Sequence, residues 1–408
     1  MIRAGFGRPS DPPAALLVAG VRVVDPSTAT DAVADLGVAD GHIVQASDVP
    51  ADAPRIDGRG LVAAPGFCDL GPHLGDADDP AAETIESGAR AAAHGGYTTV
   101  AAAAAVAPDL ACRVLSIGPA AGDGVVALTA TGVATDVLAR QACEADLPLI
   151  VRPDDAGGVV RAGPTAVRLG LPGWPPEIEL ENVGQLIALA RRTGARIHVA
   201  HVSTAAAAEA VRTARAEGVR VTADVTPHHL ALPDTWVAGD RRFAWQEPGP
   251  ADPALAYDGS SRVSPPLATR EDAAALAAAV EDGTVDAIAT DHAPRPPERT
   301  IVPFDQAAGG IAGLETALSI GLAAVQAGVL SLTTLVRALS TGPAGIIGQW
   351  RGLAIGSVAD LVVFDPNARW RVTPTALASR ARNTPLLGME LPGVVRLTIA
   401  DGRVTYRA

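Results

Sequence analysis

Two patterns of hydrophobic and polar positions divide the chain. Residues 14–62, and the stretch from residue 357 to the C-terminus, contain short β-branched runs separated by turn pairs such as Asp-Gly and Asp-Pro. This pattern is typical of antiparallel strands and hairpins. Between these ends, apolar runs recur and most are separated by alanine-rich segments. The runs lie at residues 62–70, 97–104, 113–118, 124–129, 147–152, 196–202, 219–225 and 285–291.

About eight strand–helix alternations predict an α/β fold, a TIM-type (β/α)8 barrel, with a small β-sandwich domain built from both termini. We expect residues 1–62 and 346–408 to form the sandwich and residues 63–345 to form the barrel. Helix start and stop signals agree, since Pro80 and the acidic Glu83 and Glu86 precede Gly95-Gly96. The active site of such a barrel lies at the carboxyl ends of its strands.

One connection does not fit this pattern. The runs on either side of residues 117–124 are joined by the letters GPAAGDG, whereas a parallel crossover needs a dozen or more residues, usually a helix. Either the barrel is locally irregular or one of the two runs is misassigned.

Composition and charge narrow the class of protein. Hydrophobic residues make up 48% of the 408 positions and charged residues 19%, which indicates a globular protein. No apolar run approaches the roughly 20 residues of a membrane span, and the start lacks a secretory signal, so we expect a cytoplasmic protein without membrane contact. The net charge of −13 argues against a nucleic-acid partner. The three cysteines form no zinc or disulfide pattern.

The chain contains no lysine, and all 32 of its Lys and Arg positions are arginine. A mechanism that needs an amine nucleophile, a Schiff base or a carbamylated lysine is therefore excluded.

Histidine and aspartate collect after four of the apolar runs, in PGFCDLGPHLGD, RIHVAHVST, VTADVTPHHL and VDAIATDHAP. A single histidine is usually a structural residue. Imidazoles and carboxylates that converge on one barrel mouth are, however, the ligands of a zinc-type cation. This pattern indicates the ancestry of a metal site. The residues are Asp69, His73, His198, His201, His228, His229, Asp291 and His292.

These segments, together with SPPL, GGIAGLET, ADLVVFDP and NTPLLG, resemble in order the signature segments of dihydroorotases in the amidohydrolase superfamily. The resemblance runs from about Val18 to Val404. It implies a zinc centre that activates a water, which opens the cyclic amide of dihydroorotate, or the reverse condensation of carbamoyl aspartate. It also implies that Asp291 shuttles the proton.

The ligand positions that this resemblance implies are only partly kept. His73, His201 and Asp291 correspond to metal ligands. The other ligand positions are Gly71, Ala130 and Arg152. If the Arg152 guanidinium points inward, it can pair with Asp291 and replace the metal electrostatically, which is the orientation we favour. If it points outward, a mononuclear zinc site can survive.

The substrate-binding positions implied by the resemblance are also changed. Gly75 stands where an arginine usually clamps the substrate carboxylate, and Ala101–Ala105 covers the usual asparagine. Ser264 and Arg295 replace an asparagine and a histidine. An anionic ring therefore loses the groups that would hold it.

Two functions remain open. In the first, the chain resembles the degenerate, non-catalytic dihydroorotase branch that supports assembly of aspartate carbamoyltransferase in pyrimidine biosynthesis, in a homo- or hetero-oligomer and without metal. In the second, it is a working zinc-dependent hydrolase of a cyclic amide with a reduced metal site. The combined loss of metal and substrate groups favours the first. His228 and His229 are expected to make structural hydrogen bonds in either.

Overall fold

Strands from both ends of the chain form one mixed sheet in the computed structural model, which describes residues 5–7, 11–75, 81–104, 109–132, 134–153 and 157–408. Its order is β1-β19-β18-β17-β6-β2-β3-β4, with β5 beside β2. The interior of this sheet is aliphatic, with fully buried Leu16, Val18, Leu361 and Ile399. These strands make the small β-sandwich domain: β1 (Gly5–Phe6), β2 (Leu16–Asp25), β3 (Thr30–Ala39), β4 (His42–Val44), β5 (Arg55–Asp57), β6 (Val62–Pro65), β17 (Leu361–Arg371), β18 (Glu390–Ala400) and β19 (Arg403–Arg407).

A second sheet has eight parallel strands among the described residues and forms the nearly closed barrel. A two-stranded parallel pair, β12 (Val160–Arg161) and β13 (Gly173–Trp174), lies outside it. The predicted TIM-type barrel with a terminal β-sandwich is confirmed. The barrel strands are β7 (Phe67–Leu70), β8 (Tyr97–Ala102), β9 (Arg113–Gly118), β10 (Val125–Thr131), β11 (Leu149–Arg152), β14 (Ile197–Val199), β15 (Val221–Val225) and β16 (Ala287–Ile288).

The first predicted run, residues 62–70, is two strands in two different sheets. Val62–Pro65 pairs with β2 and β17 in the sandwich, and Phe67–Leu70 opens the barrel. Gly66 permits this change because a Cβ there would clash with the side chain of Thr98 at 2.2 Å. A continuous apolar run does not reveal such a division, since both halves are buried. The domain bounds at 62/63 and 345/346 stay a prediction.

The structure contains the short connection at residues 119–124 between two neighbouring parallel strands. Strands β9 and β10 lie side by side and parallel, with Val125 opposite Ser116 and a register shift between Val125 and Ala127. Both runs are strands, so the irregularity lies in the barrel and neither run was misassigned. The offset register lets a six-residue loop connect two parallel strands.

Helices cover much of the outer face of the barrel. The helix expected after Pro80 begins at Ile85, where Thr84 and Ser87 form a capping box; Pro80 itself lies outside the described residues. No helix in the described part of the chain is both long and apolar enough to cross a membrane. The helices are α1 (Ile85–His94), α2 (Asp136–Glu144), α3 (Pro164–Leu169), α4 (Glu177–Thr193), α5 (Ala205–Ala216), α6 (Pro227–Ala231), α7 (Arg270–Glu281), α8 (Pro297–Thr300), α9 (Ala317–Gln326), α10 (Leu332–Val336) and α11 (Gly342–Ile346).

The segment between β17 and β18, residues 372–389, reaches from the sandwich to the barrel mouth. Asn383 in this segment donates to the carbonyls of Ala293 and Gly310, both at 2.9 Å, and accepts from the Arg295 amide at 3.0 Å. The small domain therefore helps to shape the loop that follows the last barrel strand.

Candidate functional site

Three strand ends bring charged side chains together at the barrel mouth. Arg152 ends β11, His201 follows β14 and Asp291 follows β16. The Arg152 Nη1 lies 3.8 Å from Asp291 Oδ1, and His201 Nδ1 lies 3.7 Å from the same oxygen. The guanidinium thus points inward, in the orientation that the sequence favoured.

The backbone at two of these residues adopts the left-handed conformation. The φ angles are +59° at His201 and +46° at Asp291. Non-glycine residues pay roughly 1–3 kcal/mol for such a conformation, and it is concentrated at functional sites. At His201 the surroundings enforce it, because its backbone amide donates to Asp224 Oδ1 at 2.7 Å. The fold therefore retains the strained strand ends of a binding site.

Three polar atoms at the mouth are buried without a hydrogen-bond partner among the described residues. They are both ring nitrogens of His201 and Oδ1 of Asp291, and each residue is only 4% exposed. A buried polar atom without a partner costs about 1–3 kcal/mol. The arrangement is thus suited to a water or a small ligand that supplies the missing contacts.

His73 lies at the same mouth with an exposed side chain, and its amide donates to the His292 carbonyl at 2.8 Å. Partial desolvation lowers the pKa of the His73 imidazole; Asp291 opposes this shift, while Arg295 and Arg152 add to it. These groups are therefore close enough to His73 to influence its charge.

The other two altered ligand positions differ in the room they offer. At Gly71 a Cβ would meet no described atom within 4 Å, although the φ of +77° favours glycine. Ala130 in β10 pairs with Val151, one position before Arg152. Gly71 thus leaves open space where the family resemblance implies a histidine.

The changed substrate positions have structural roles of their own. At Gly75 a Cβ would come within 2.9 Å of the Ile85 side chain, at a φ of +71°, so an arginine does not fit there without rearrangement. Arg295 Nε donates to the Gly309 carbonyl at 2.9 Å. Ala101 and Ala102 end β8, and Ala105 lies outside the described residues.

Asp224 organises the strand ends beneath the mouth. Its Oδ2 lies 2.8 Å from His198 Nε2, and His198 Nδ1 lies 2.9 Å from the Thr222 hydroxyl. Burial acts to raise the pKa of Asp224, but the charge of His201 and the hydrogen bond from His198 outweigh it and lower the pKa. His198 is therefore a structural residue within β14.

Asp69 joins the first and last strands of the barrel. Its Oδ1 accepts from the Thr290 amide at 2.7 Å, and the Thr290 hydroxyl donates to Oδ2. Burial raises the pKa of Asp69 to about 6. This pair links β7 to the end of β16, and Asp69 is thus engaged within the protein.

His292 and His229 are also held by the protein. Gly313 donates to His292 Nδ1 at 3.2 Å, which leaves the proton on Nε2, 3.4 Å from Glu83. His229 contacts the Thr226 hydroxyl and the Pro265 carbonyl at 2.8 and 3.0 Å.

The expectation of structural hydrogen bonds is correct for His229, which follows β15. Nε2 of the neighbouring His228, in contrast, is buried and has no partner in the described part of the protein. Burial lowers the pKa of His228 well below its usual value, so the ring is neutral.

The donors at the mouth do not match the needs of zinc. A zinc site takes three or four converging nitrogen, sulfur or oxygen ligands. Within the described ranges, no three His, Cys, Asp or Glu side chains come together closely enough to hold a metal ion. The carboxylate oxygen that His201 approaches is also the one that Arg152 approaches, and a guanidinium there repels a dication.

Residues 62–405 match the profile of the amidohydrolase family, and the chain belongs to this family. The dihydroorotase of Anaeromyxobacter dehalogenans strain 2CP-1 is 39% identical over 437 aligned residues, which cover 96% of this chain and 98% of that protein. The dihydroorotase of Syntrophotalea carbinolica is 36% identical, with 96% and 99% covered. The chain is thus a dihydroorotase-like amidohydrolase.

Solved structures agree on the fold. The L-hydantoinase of Arthrobacter aurescens has a TM-score of 0.80 at 22% identity, with 96% of each chain covered. The dihydropyrimidinase of Brevibacillus agri NCHU1002 has a TM-score of 0.77 at 22% identity, covering 97% of this chain and 95% of that one. At this identity the likeness concerns the fold alone.

Sequence reasoning did not find the groups that support the mouth. Asp224 lies inside the apolar run VTADV, and a charged residue within a buried strand was the available signal. Glu83 was expected in the first turn of a helix; it precedes α1 and is fully buried, where it accepts from the Ser379 hydroxyl at 2.5 Å. Asn383 opens the segment NTPLLG, but its role was not apparent because its partners lie about 70–90 residues away.

Proposed function

We propose that this protein is a catalytically impaired dihydroorotase homologue of pyrimidine biosynthesis, which holds no metal and supports assembly of aspartate carbamoyltransferase in a common oligomer. The dihydroorotase relatives, similar over nearly their whole length, support the pathway. The ion pair of Arg152 with Asp291 carries the proposal of impairment.

Arg152 affects both parts of the metal chemistry. Its permanent positive charge lies next to Asp291 Oδ1, where a dication would have to bind. It also faces Asp291 Oδ1, the oxygen that a proton-shuttling carboxylate would offer to a water. The metal ligand and the proton shuttle are thereby lost together.

The substrate positions support the same conclusion. The family resemblance implies an arginine at position 75, yet Gly75 is packed against Ile85. A substrate carboxylate would therefore lack its bidentate partner. Neither the hydrolysis nor the condensation has the groups that would orient its substrate.

Turnover and assembly test the proposal together. The purified chain, with and without added zinc, is assayed for ring opening of dihydroorotate and for condensation of carbamoyl aspartate. It is then co-expressed with the aspartate carbamoyltransferase of the same genome, and the complex is measured by light scattering. We expect no turnover above a heat-inactivated control and a stoichiometric complex. Turnover that depends on zinc, or two proteins that elute separately, would overturn the proposal.

The second candidate is an active zinc-dependent hydrolase of a cyclic amide. The unpartnered His201 nitrogens and Asp291 Oδ1 favour it, since they are donor atoms that a cation would satisfy. It requires Arg152 to move away from Asp291 when zinc binds. His201→Gln and Asp291→Asn would then each abolish zinc-dependent turnover, whereas in the favoured proposal neither changes the absence of activity.

A further inference from the structure

The barrel mouth has a charge pattern opposite to that of a metal site. The Arg152 guanidinium and the His201 imidazole lie within 4 Å of the Asp291 carboxylate, and the charges that act on the neighbouring His73 are those of Asp291, Arg295, Arg152 and His201. At a metal site the positive charge beside this carboxylate would belong to the cation, whereas here it belongs to the Arg152 guanidinium. In a chain with a formal charge of −13, this local excess of basic groups among the described residues is better suited to an anion.

The Arg152 side chain has donors to offer a ligand. Its separation of 3.8 Å from Asp291 exceeds a hydrogen bond. A guanidinium carries five N–H donors in a fork that matches an oxyanion, so this one long ion pair does not use them up. The side chain is also 33% exposed, so part of it is accessible to a ligand.

The unpartnered atoms determine which hydrogen-bond donors and acceptors the anion must have. Asp291 Oδ1 can only accept a hydrogen bond when ionised, so a ligand beside it must bring an O–H or N–H donor. Arg152 can only donate, so the same ligand must also bring a negatively charged acceptor. His201, buried with both ring nitrogens unpartnered, can serve as donor or acceptor.

We infer that the barrel mouth is a binding site for a phosphate group that keeps one proton, with its charged oxygens on Arg152 and its O–H on Asp291. Hydrogen phosphate meets both requirements at neutral pH. Sulfate has the same size and shape but no proton, so it would place an acceptor against the Asp291 carboxylate. The phosphate can be free or can belong to a small monoester in its monoprotonated form. This site goes beyond the assembly role, and neither proposal depends on the other.

Calorimetric titration at pH 6 and constant ionic strength, where about half of a phosphate monoester keeps one proton, tests the site with inorganic phosphate, phenyl phosphate and sulfate as probes. We expect saturable phosphate binding that is at least about tenfold tighter than sulfate binding, as the loss of one charged hydrogen bond requires. Phenyl phosphate binding would identify a monoester as the source, and its absence a free ion. Equal binding of phosphate and sulfate, or no saturable phosphate binding, would overturn the inference.

Two variants and a control locate the site. Arg152→Gln is expected to weaken the binding of phosphate by about tenfold or more. The control variant Arg168→Gln changes an exposed arginine on α3 and should leave phosphate binding unchanged. Asp291→Asn offers an amide donor in place of the carboxylate acceptor. The affinities for phosphate and sulfate should then lie within about threefold of each other. An equal loss of phosphate affinity in both arginine variants would contradict the site. So would an unchanged preference for phosphate over sulfate in Asp291→Asn. If Arg152→Gln does not fold, the preference for phosphate over sulfate in Asp291→Asn decides whether the anion binds at this mouth.

Discussion

A single residue, Arg152, changes the chemistry of the mouth more than the other replacements. At Gly71 and Ala130 the family resemblance implies only missing ligand atoms, whereas Arg152 brings a positive charge to within 3.8 Å of Asp291. The identity of this residue was readable from the sequence, because the motif fixes its place at a strand end. Its contact with Asp291 needed the structure, since a long arginine side chain can point to either side of a strand end.

Replacing Arg152 by histidine should allow zinc to bind. The change removes the competing charge and adds an imidazole next to His201 and Asp291. We expect excess zinc to raise the melting temperature of Arg152→His by about 2–5 °C, and to leave the unaltered protein unchanged. Arg168→His on the surface controls for adventitious zinc binding. A zinc shift in the unaltered protein, or none in Arg152→His, would speak against this role of Arg152.

Glu179 shows a second residue-scale effect. It is 1% exposed on α4, and its carboxylate accepts from the Ser203 amide at 2.6 Å and the Ser203 hydroxyl at 3.0 Å. Burial raises the pKa of Glu179 to about 7, against the opposing hydrogen bonds and the charge of Arg161. The folded state thus binds this proton more tightly than the unfolded chain does.

The raised pKa predicts how stability changes with pH. The stabilisation is complete below the unfolded pKa of 4.5 and is lost as the pH rises through about 7. Between pH 5 and 8 the free energy of unfolding should fall by about 2–3 kcal/mol on account of Glu179. Urea unfolding of Glu179→Gln should lack this part of the decrease, whereas Glu181→Gln, at an exposed position of the same helix, should keep it. Identical pH profiles for all three proteins would refute the assignment.

At the scale of elements, the 372–389 segment connects the two domains. Glu315, before α9, accepts from the Ala378 and Ser379 amides at 2.7 and 3.1 Å, and Glu83 accepts from the Ser379 hydroxyl. Two buried carboxylates of the barrel therefore hold one stretch of this segment. Asn383 then positions the loop after β16.

Removing the Asn383 side chain should destabilise this loop. Asn383→Ala leaves the Ala293 and Gly310 carbonyls and the Arg295 amide without their partner, which should lower the free energy of unfolding by about 2–4 kcal/mol. Asn367→Ala, at an exposed position, should change it by less than about 0.5 kcal/mol. Equal effects in chemical denaturation would show that the Asn383 contacts contribute nothing specific.

The elements themselves were largely predictable. All eight apolar runs contain a barrel strand, because parallel strands buried on both faces are continuously hydrophobic. The division of residues 62–70 and the short link at residues 119–124 were harder to foresee. Both depend on pairing with distant strands, which local periodicity does not encode.

The whole molecule has the architecture of its family, and the proposed function assigns the change to its mouth. The eight-stranded parallel sheet and the sheet built from both termini are both present, as the resemblance predicted. Function depends on a few side chains at the strand ends, and these can change without changing the fold. In the proposed function, the inward-pointing Arg152 takes the place of the metal.

The zinc content of the purified protein tests this claim most directly. The chain is expressed in zinc-supplemented medium, purified without chelator and measured by plasma mass spectrometry, with Arg152→His prepared in parallel. We predict less than about 0.1 equivalent of zinc per chain for the unaltered protein, and a substantially higher content for the variant. Close to one equivalent of zinc in the unaltered protein would contradict the replacement of the metal by Arg152.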